Sequence, residues 1–241
     1  MALPSPFSLL AQSVKFYRRH FWPLVKLLVI PSLLTILLVA IMAMLLILVT
    51  NLSSWQWVIL VPTFIIGLTV IIIVSLLGYA AIIYFLGNSG QYPGILSLFR
   101  AVWPLIGKLW LTQLLVSLIT TLGFILLIIP GIIFLTRYVF FPFVVVLDRK
   151  FGREALKFST SLVKGRFWAI FGRGLLISLF PWVLSFLITQ IDQPIIVGLL
   201  QIIFYVTIGP LTTIYFYHLY QASKLEVDDL ASRRPAPAPN T

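Results

Sequence analysis

No Asp, Glu, Lys or Arg occurs between Lys26 and Arg100. Further charge-free runs separate Lys108 from Arg137, Arg173 from Asp192, and Asp192 from Lys224. An α-helix crosses the hydrocarbon of a bilayer with about 20 apolar residues. The runs are therefore long enough for one or two crossings each. A soluble fold has no way to hide them, because exposed apolar patches beyond a few hundred Å² drive association. Composition agrees: 61% of the residues are hydrophobic and 10% are charged, against about 25% charged in soluble domains. The expected fold class is all-α, a polytopic transmembrane helical bundle of six spans.

The spans are expected at 24–49, 57–86, 109–129, 132–147, 167–189 and 195–220. Short breakers separate them: Asn51 to Ser54, the stretch Gly87 to Gly94, the dipeptide Pro130-Gly131, and Gln190 to Gln193. The run before the first span is basic, and the apolar stretch that follows is longer than a signal-peptide core, so an uncleaved first span is expected. One membrane domain is expected over 1–224. The acidic and then proline-rich residues 225–241 are expected to be a disordered tail.

Orientation follows from the basic residues. Lys15, Arg18, Arg19, Arg100, Lys108, Arg149, Lys150, Arg153, Lys157, Lys164, Arg166, Lys224, Arg233 and Arg234 all fall on one side of such a bundle. The loops on the other side carry only Asp192. Cytoplasmic loops are enriched in Lys and Arg. Both termini are therefore expected in the cytoplasm, in the plasma membrane of a bacterium. The net charge of +11 is explained by these flanks, and no nucleic acid is implied.

A unit recurs along the chain: an amphipathic segment, an aromatic, a cation, then two spans. Ser13 to Trp22 reads Ser-Val-Lys-Phe-Tyr-Arg-Arg-His-Phe-Trp, and Ser159 to Trp168 reads Ser-Thr-Ser-Leu-Val-Lys-Gly-Arg-Phe-Trp. The shorter middle copy has Trp103-Pro104-Leu105-Ile106 against Trp22-Pro23-Leu24-Val25. Lys26, Lys108 and Arg173 follow the three tryptophans by four or five residues. An indole at the headgroup level with a cation one turn deeper is ordinary snorkelling. Lys15, Arg18, Arg19, Trp22, Lys26, Trp103, Lys108, Lys164, Arg166, Trp168 and Arg173 are thus expected as interfacial anchors facing anionic headgroups. In the first segment Phe7, Leu10, Val14, Tyr17 and Phe21 recur at helical spacing. Phe151, Ala155, Phe158 and Leu162 do so in the last. Short amphipathic helices are expected before spans 1, 3 and 5, either in the membrane interface or as caps on the bundle.

The stretch Ile129-Pro130-Gly131 to Arg137, on to Pro142 and Asp148, is followed by Glu154-Ala155-Leu156, Ser159 and Val163-Lys164-Gly165-Arg166-Phe167-Trp168. This pattern resembles the membrane domain found beside glycerophosphoryl diester phosphodiesterases, and related stand-alone six-helix membrane proteins of bacteria. The resemblance is concentrated in residues 125–170. It implies the membrane architecture. In that family the phosphodiesterase chemistry belongs to a separate soluble barrel. This chain ends soon after its sixth span, so no barrel and no carried-over activity are expected.

The spans hold no Asp or Glu, and no His-Glu-x-x-His, Gly-x-Ser-x-Gly or phosphate-binding loop occurs. The chain has no cysteine. No catalytic residue, metal or cofactor is expected. Arg137 is the one charge placed deep in an expected span. An intramembrane Arg costs about 2.5–3.5 kcal/mol on insertion scales and needs a partner. Asp192, backbone carbonyls freed near Pro130 or Pro142, and a lipid phosphate are the candidates, which makes Arg137 the candidate functional residue. The residues favour a non-catalytic membrane component: a scaffold, an assembly partner or a lipid-associated factor. A small-molecule or lipid transporter is the alternative, supported by the repeated units and the prolines within spans.

Overall fold

The computed structural model describes residues 4–50, 56–88, 91 and 93–232. Among the described residues there are nine helices and no strand. They are α1 (Pro6–Arg19), α2 (Phe21–Thr50), α3 (Gln56–Gly87), α4 (Ile95–Leu126), α5 (Ile128–Arg137), α6 (Phe141–Leu147), α7 (Gly152–Val163), α8 (Phe167–Thr189) and α9 (Pro194–Ser232). Six stretches among the described residues are long and apolar enough to cross a membrane: α2, α3, α4, α5 with α6, α8 and α9. The protein is a multi-pass all-α membrane bundle. Helices suit that solvent because each one satisfies its own backbone polar groups.

The third turn is not at Pro130-Gly131, as the sequence led one to expect, but at Leu127, whose φ of −165° and ψ of 149° break the helix. Pro130 instead sits in the first turn of α5, where its missing N–H has no helical partner to lose. Gly131 serves close approach. A Cβ there would lie 2.4 Å from the Phe124 ring, and one at Gly123 would lie 2.8 Å from the Phe134 ring. Two bare backbones thus let α4 and α5 meet tightly around the turn.

The fourth span is itself broken, where one helix over 132–147 was expected. Residues 138–140 form a turn between α5 and α6. Pro142 has no N–H for the Tyr138 carbonyl, which accepts from Phe141 N at 3.0 Å instead. The freed Arg137 carbonyl accepts from the buried Ser159 hydroxyl of α7 at 2.8 Å. Residues Phe141 to Val146 of α6 are all buried, as an element apolar on every side should be.

Two amphipathic helices, α1 and α7, stand as separate elements before spans 1 and 5. The segment before span 3 runs into the span without a break, as the first turns of α4. In α1 the apolar stripe divides. Leu9, Ser13 and Tyr17 are buried, whereas Phe7 and Val14 are exposed on another face. Tyr17 explains part of this. Pro210 cannot donate to the carbonyl of Val206 one turn back on α9. The Tyr17 hydroxyl donates to that carbonyl at 3.3 Å. Burial holds this phenol above its ordinary pKa.

The expectation of a disordered tail from 225 does not hold for residues 225–232. They continue α9, and Glu226 pairs with Arg166. Tertiary pairing supplies what a composition-based reading of an isolated tail leaves out. Residues 233–241, with Arg233, Arg234 and the prolines, lie outside the described residues, as do 51–54 of the first loop.

The buried core gathers at one end. It takes Leu24 and Leu27 of α2, Ile83 and Phe85 of α3, Val102 and Leu109 of α4, and most of α6. Leu162 of α7 and Tyr215 and Tyr220 of α9 complete it. This is the end that the basic residues flank, and it is called the basic end below.

Candidate functional site

The end of α7, the start of α8 and the outer face of α5 enclose a crevice of about 750 Å³. Lys164 and Gly165 turn the chain from α7 into α8. The φ of +80° at Gly165 is a left-handed conformation that suits glycine. The turn delivers Lys164, Phe167 and Trp168 to the rim, opposite Arg137 at the last position of α5. Ile129, Ile132, Ile133, Val163 and Phe171 form apolar walls, and Thr160 adds a hydroxyl.

Arg137 and Lys164 are both exposed on this crevice. Neither side chain has an ion pair or hydrogen bond among the described residues. Of the partners expected for Arg137, neither Asp192 nor a freed carbonyl reaches its guanidinium. The side chain does not face the bundle interior. It ends α5 at the helix break, beside the α7–α8 turn. Two cations, an indole and a hydroxyl thus border one cleft whose walls are otherwise apolar.

The other anchors fall into two groups. Lys15, Arg18, Arg19, Lys26 and Lys108 are exposed, as are Trp22, Trp103 and Trp168. Lys108 also places its ammonium 4.1 Å from the centre of the Phe151 ring. Arg166 and Arg173 are used internally. Arg166 lies 3.0 Å from Glu226, with side chains only 14% and 17% exposed. Arg173 donates to the Pro4 carbonyl at 3.2 and 3.0 Å and to the Ala169 carbonyl at 2.9 Å. It thereby ties the start of the chain to α8.

The repeated unit has a tertiary counterpart. Leu9 and Ala155, Ser13 and Ser159, Tyr17 and Val163, and Leu24 and Ile170 share one sequence offset, and all eight residues are buried. Trp22, Trp103 and Trp168 are exposed, and the residue two positions on (Leu24, Leu105, Ile170) is buried each time.

Sequence reasoning missed two arrangements. At the basic end Asp148 accepts from the Tyr220 hydroxyl and from Lys224, joining α6 to α9. Asp148 was legible as the residue closing span 4, but its partners are 72 and 76 residues away. The second is a cavity between α2, α3 and α9. Its trace in the sequence is a pair of polar residues one turn apart in each of two spans. No family model, curated protein or solved structure matches the chain.

Proposed function

We propose that this chain is a non-catalytic, lipid-associated membrane protein that holds an anionic lipid headgroup between Arg137 and Lys164. The observation that carries the reading is the meeting of two cations, neither with an acidic partner among the described residues, over an apolar cleft. The phosphate sits between the cations and the acyl chain follows the isoleucines of α5. Arg137 offers a planar fork for two phosphate oxygens, and Lys164 adds a point charge. The resemblance of residues 125–170 supports a non-catalytic role, because in that family the chemistry sits in a separate barrel. Orientation in this reading puts the basic end in the cytoplasm of a bacterium, where anionic lipid gives each nearby cation about 1 kcal/mol.

The test is lipid binding by native mass spectrometry of the full chain. Arg137→Gln and Lys164→Gln should each weaken retention of phosphatidylglycerol about 5-fold, from about 1 kcal/mol per cation. Retention of phosphatidylcholine should change less. Equal retention of both lipids by wild type and variants sinks the proposal. Single cysteines at Ser161 and Gln193 test the orientation. Labelling of Ser161→Cys from outside intact cells reverses it.

A further inference from the structure

The cavity between α2, α3 and α9 has a volume of about 680 Å³ and shares no lining residue with the Arg137 crevice. It lies deep along the helices. Tyr205 is about 22 Å of helix from Tyr220, and Gln201 about 10 Å from the start of α9, at 1.5 Å per residue. No charged side chain is among its lining residues.

Its polar groups come in two matched pairs. Ser75 and Tyr79 lie one turn apart on α3, and Gln201 and Tyr205 one turn apart on α9. Residues four apart share a helix face, so each helix turns one polar pair to the same space. The Tyr79 and Tyr205 hydroxyls and the Gln201 amide have no hydrogen-bond partner among the described residues. Ser32, Thr35 and Thr213, on the same walls, are different. They donate to carbonyls one turn back, at 2.7, 2.9 and 3.2 Å. The Val206 carbonyl, which Pro210 frees on this wall, is taken by Tyr17.

Together with the exposed Ser75 hydroxyl, these three donors line an open, apolar and charge-free groove, with Tyr79 and Tyr205 36% and 53% exposed; bulk water is scarce at that depth, and an unmatched donor there is costly. What satisfies them must bring acceptors and no charge, since no cation is present to neutralise an anion. The volume falls in the ordinary range for small-molecule sites, about 300–1,000 Å³. We propose that this cavity binds an uncharged lipid by a carbonyl oxygen, either the ester of a diacylglycerol or the ring carbonyl of a prenylated quinone. The Tyr79 and Tyr205 hydroxyls and the Gln201 amide donate to that carbonyl, and the hydrocarbon tail leaves between α2 and α9 into the bilayer. This site does not depend on the reading given to Arg137.

The test is saturable binding of a photoactivatable diacylglycerol, and separately of a photoactivatable menaquinone, to the full chain in phosphatidylcholine nanodiscs. Labelled peptides should map to α3 and α9. Tyr79→Phe with Tyr205→Phe keeps the ring shapes and removes two donors; adding Gln201→Leu removes the third. Binding should fall at least 10-fold in the triple variant and remain unchanged in Arg137→Gln. Whichever probe labels saturably, and is displaced by its own unlabelled form, identifies the carbonyl source. If Gln201→Leu fails to fold, the double Tyr→Phe variant decides, with a fall of at least 3-fold expected. Labelling by neither probe overturns the proposal. So does full binding by the triple variant, or displacement by phosphatidylglycerol as effective as by the neutral lipid.

Discussion

The two ends of this bundle are built differently. At the basic end, residues of α2, α3, α4, α6, α7 and α9 bury one another in a common core. At the far end the same spans turn large apolar side chains outward. Leu33, Ile36 and Met44 of α2 are exposed, and so are Phe64 and Ile65 of α3, Ile125 of α4, Phe180 and Trp182 of α8, and Ile202 of α9. One end carries a protein core, and the other leaves its apolar side chains without one. Between helices in hydrocarbon no hydrophobic force acts, because lipid tails are as apolar as Leu, and close packing and polar contacts have to hold them together. The basic end has both, and the short buried α6 is the piece around which they gather.

The largest expected effect comes from the centre of that core. Phe143 is 1% exposed and stacks on Tyr220 at 5.5 Å. Phe143→Ala should cost about 3–5 kcal/mol, read as a lowered unfolding midpoint in detergent titration. A loss below about 1 kcal/mol, the usual size of a surface change or smaller, would mean that the basic end is no better packed than the far end.

Next comes the clasp between α6 and α9. Asp148→Asn keeps the shape and removes the charge that faces Lys224 and Tyr220. Lys224 is about a third exposed, so screening reduces the effect to about 1–2 kcal/mol. The same unfolding measurement checks it, and Lys224→Met made in the Asn background should add little.

A smaller, local effect is expected at Tyr17. Tyr17→Phe removes the donor to the Val206 carbonyl, at about 1 kcal/mol. Hydrogen exchange should rise in α1 and around Pro210 and stay unchanged in α6. An unchanged α1 would show that its buried Leu9 and Ser13 hold it without this bond.

The smallest effect belongs to the far end. Ile202, 63% exposed, should lose less than about 0.5 kcal/mol on mutation to Ala. A loss comparable to that of Phe143→Ala would erase the contrast between the ends and point to a protein partner on this face.

The sequence by itself determined the class of fold. Four long charge-free runs bounded by charged residues admit a six-span helical bundle and little else, because hydropathy is a local property summed along one helix. The Ser-to-Trp units were equally legible, since amphipathic period and the indole–cation spacing are local too. Tertiary structure alone decided the rest. Proline and glycine occur in turns, in first helical turns and in close contacts alike. Only the meeting of α4 with α5 assigned Pro130 and Gly131 to the last two and moved the break to Leu127. Arg137 was readable as the exceptional cation. That it lies with Lys164 on one crevice depends on the break before α6 and on where α7 turns, neither of which a span-length argument reaches. Arg166 and Arg173 looked like the other anchors, yet one meets Glu226 and the other the Pro4 carbonyl. A cation's sequence neighbours say that it lies near the membrane surface, and only long-range contacts choose between a headgroup and a protein partner.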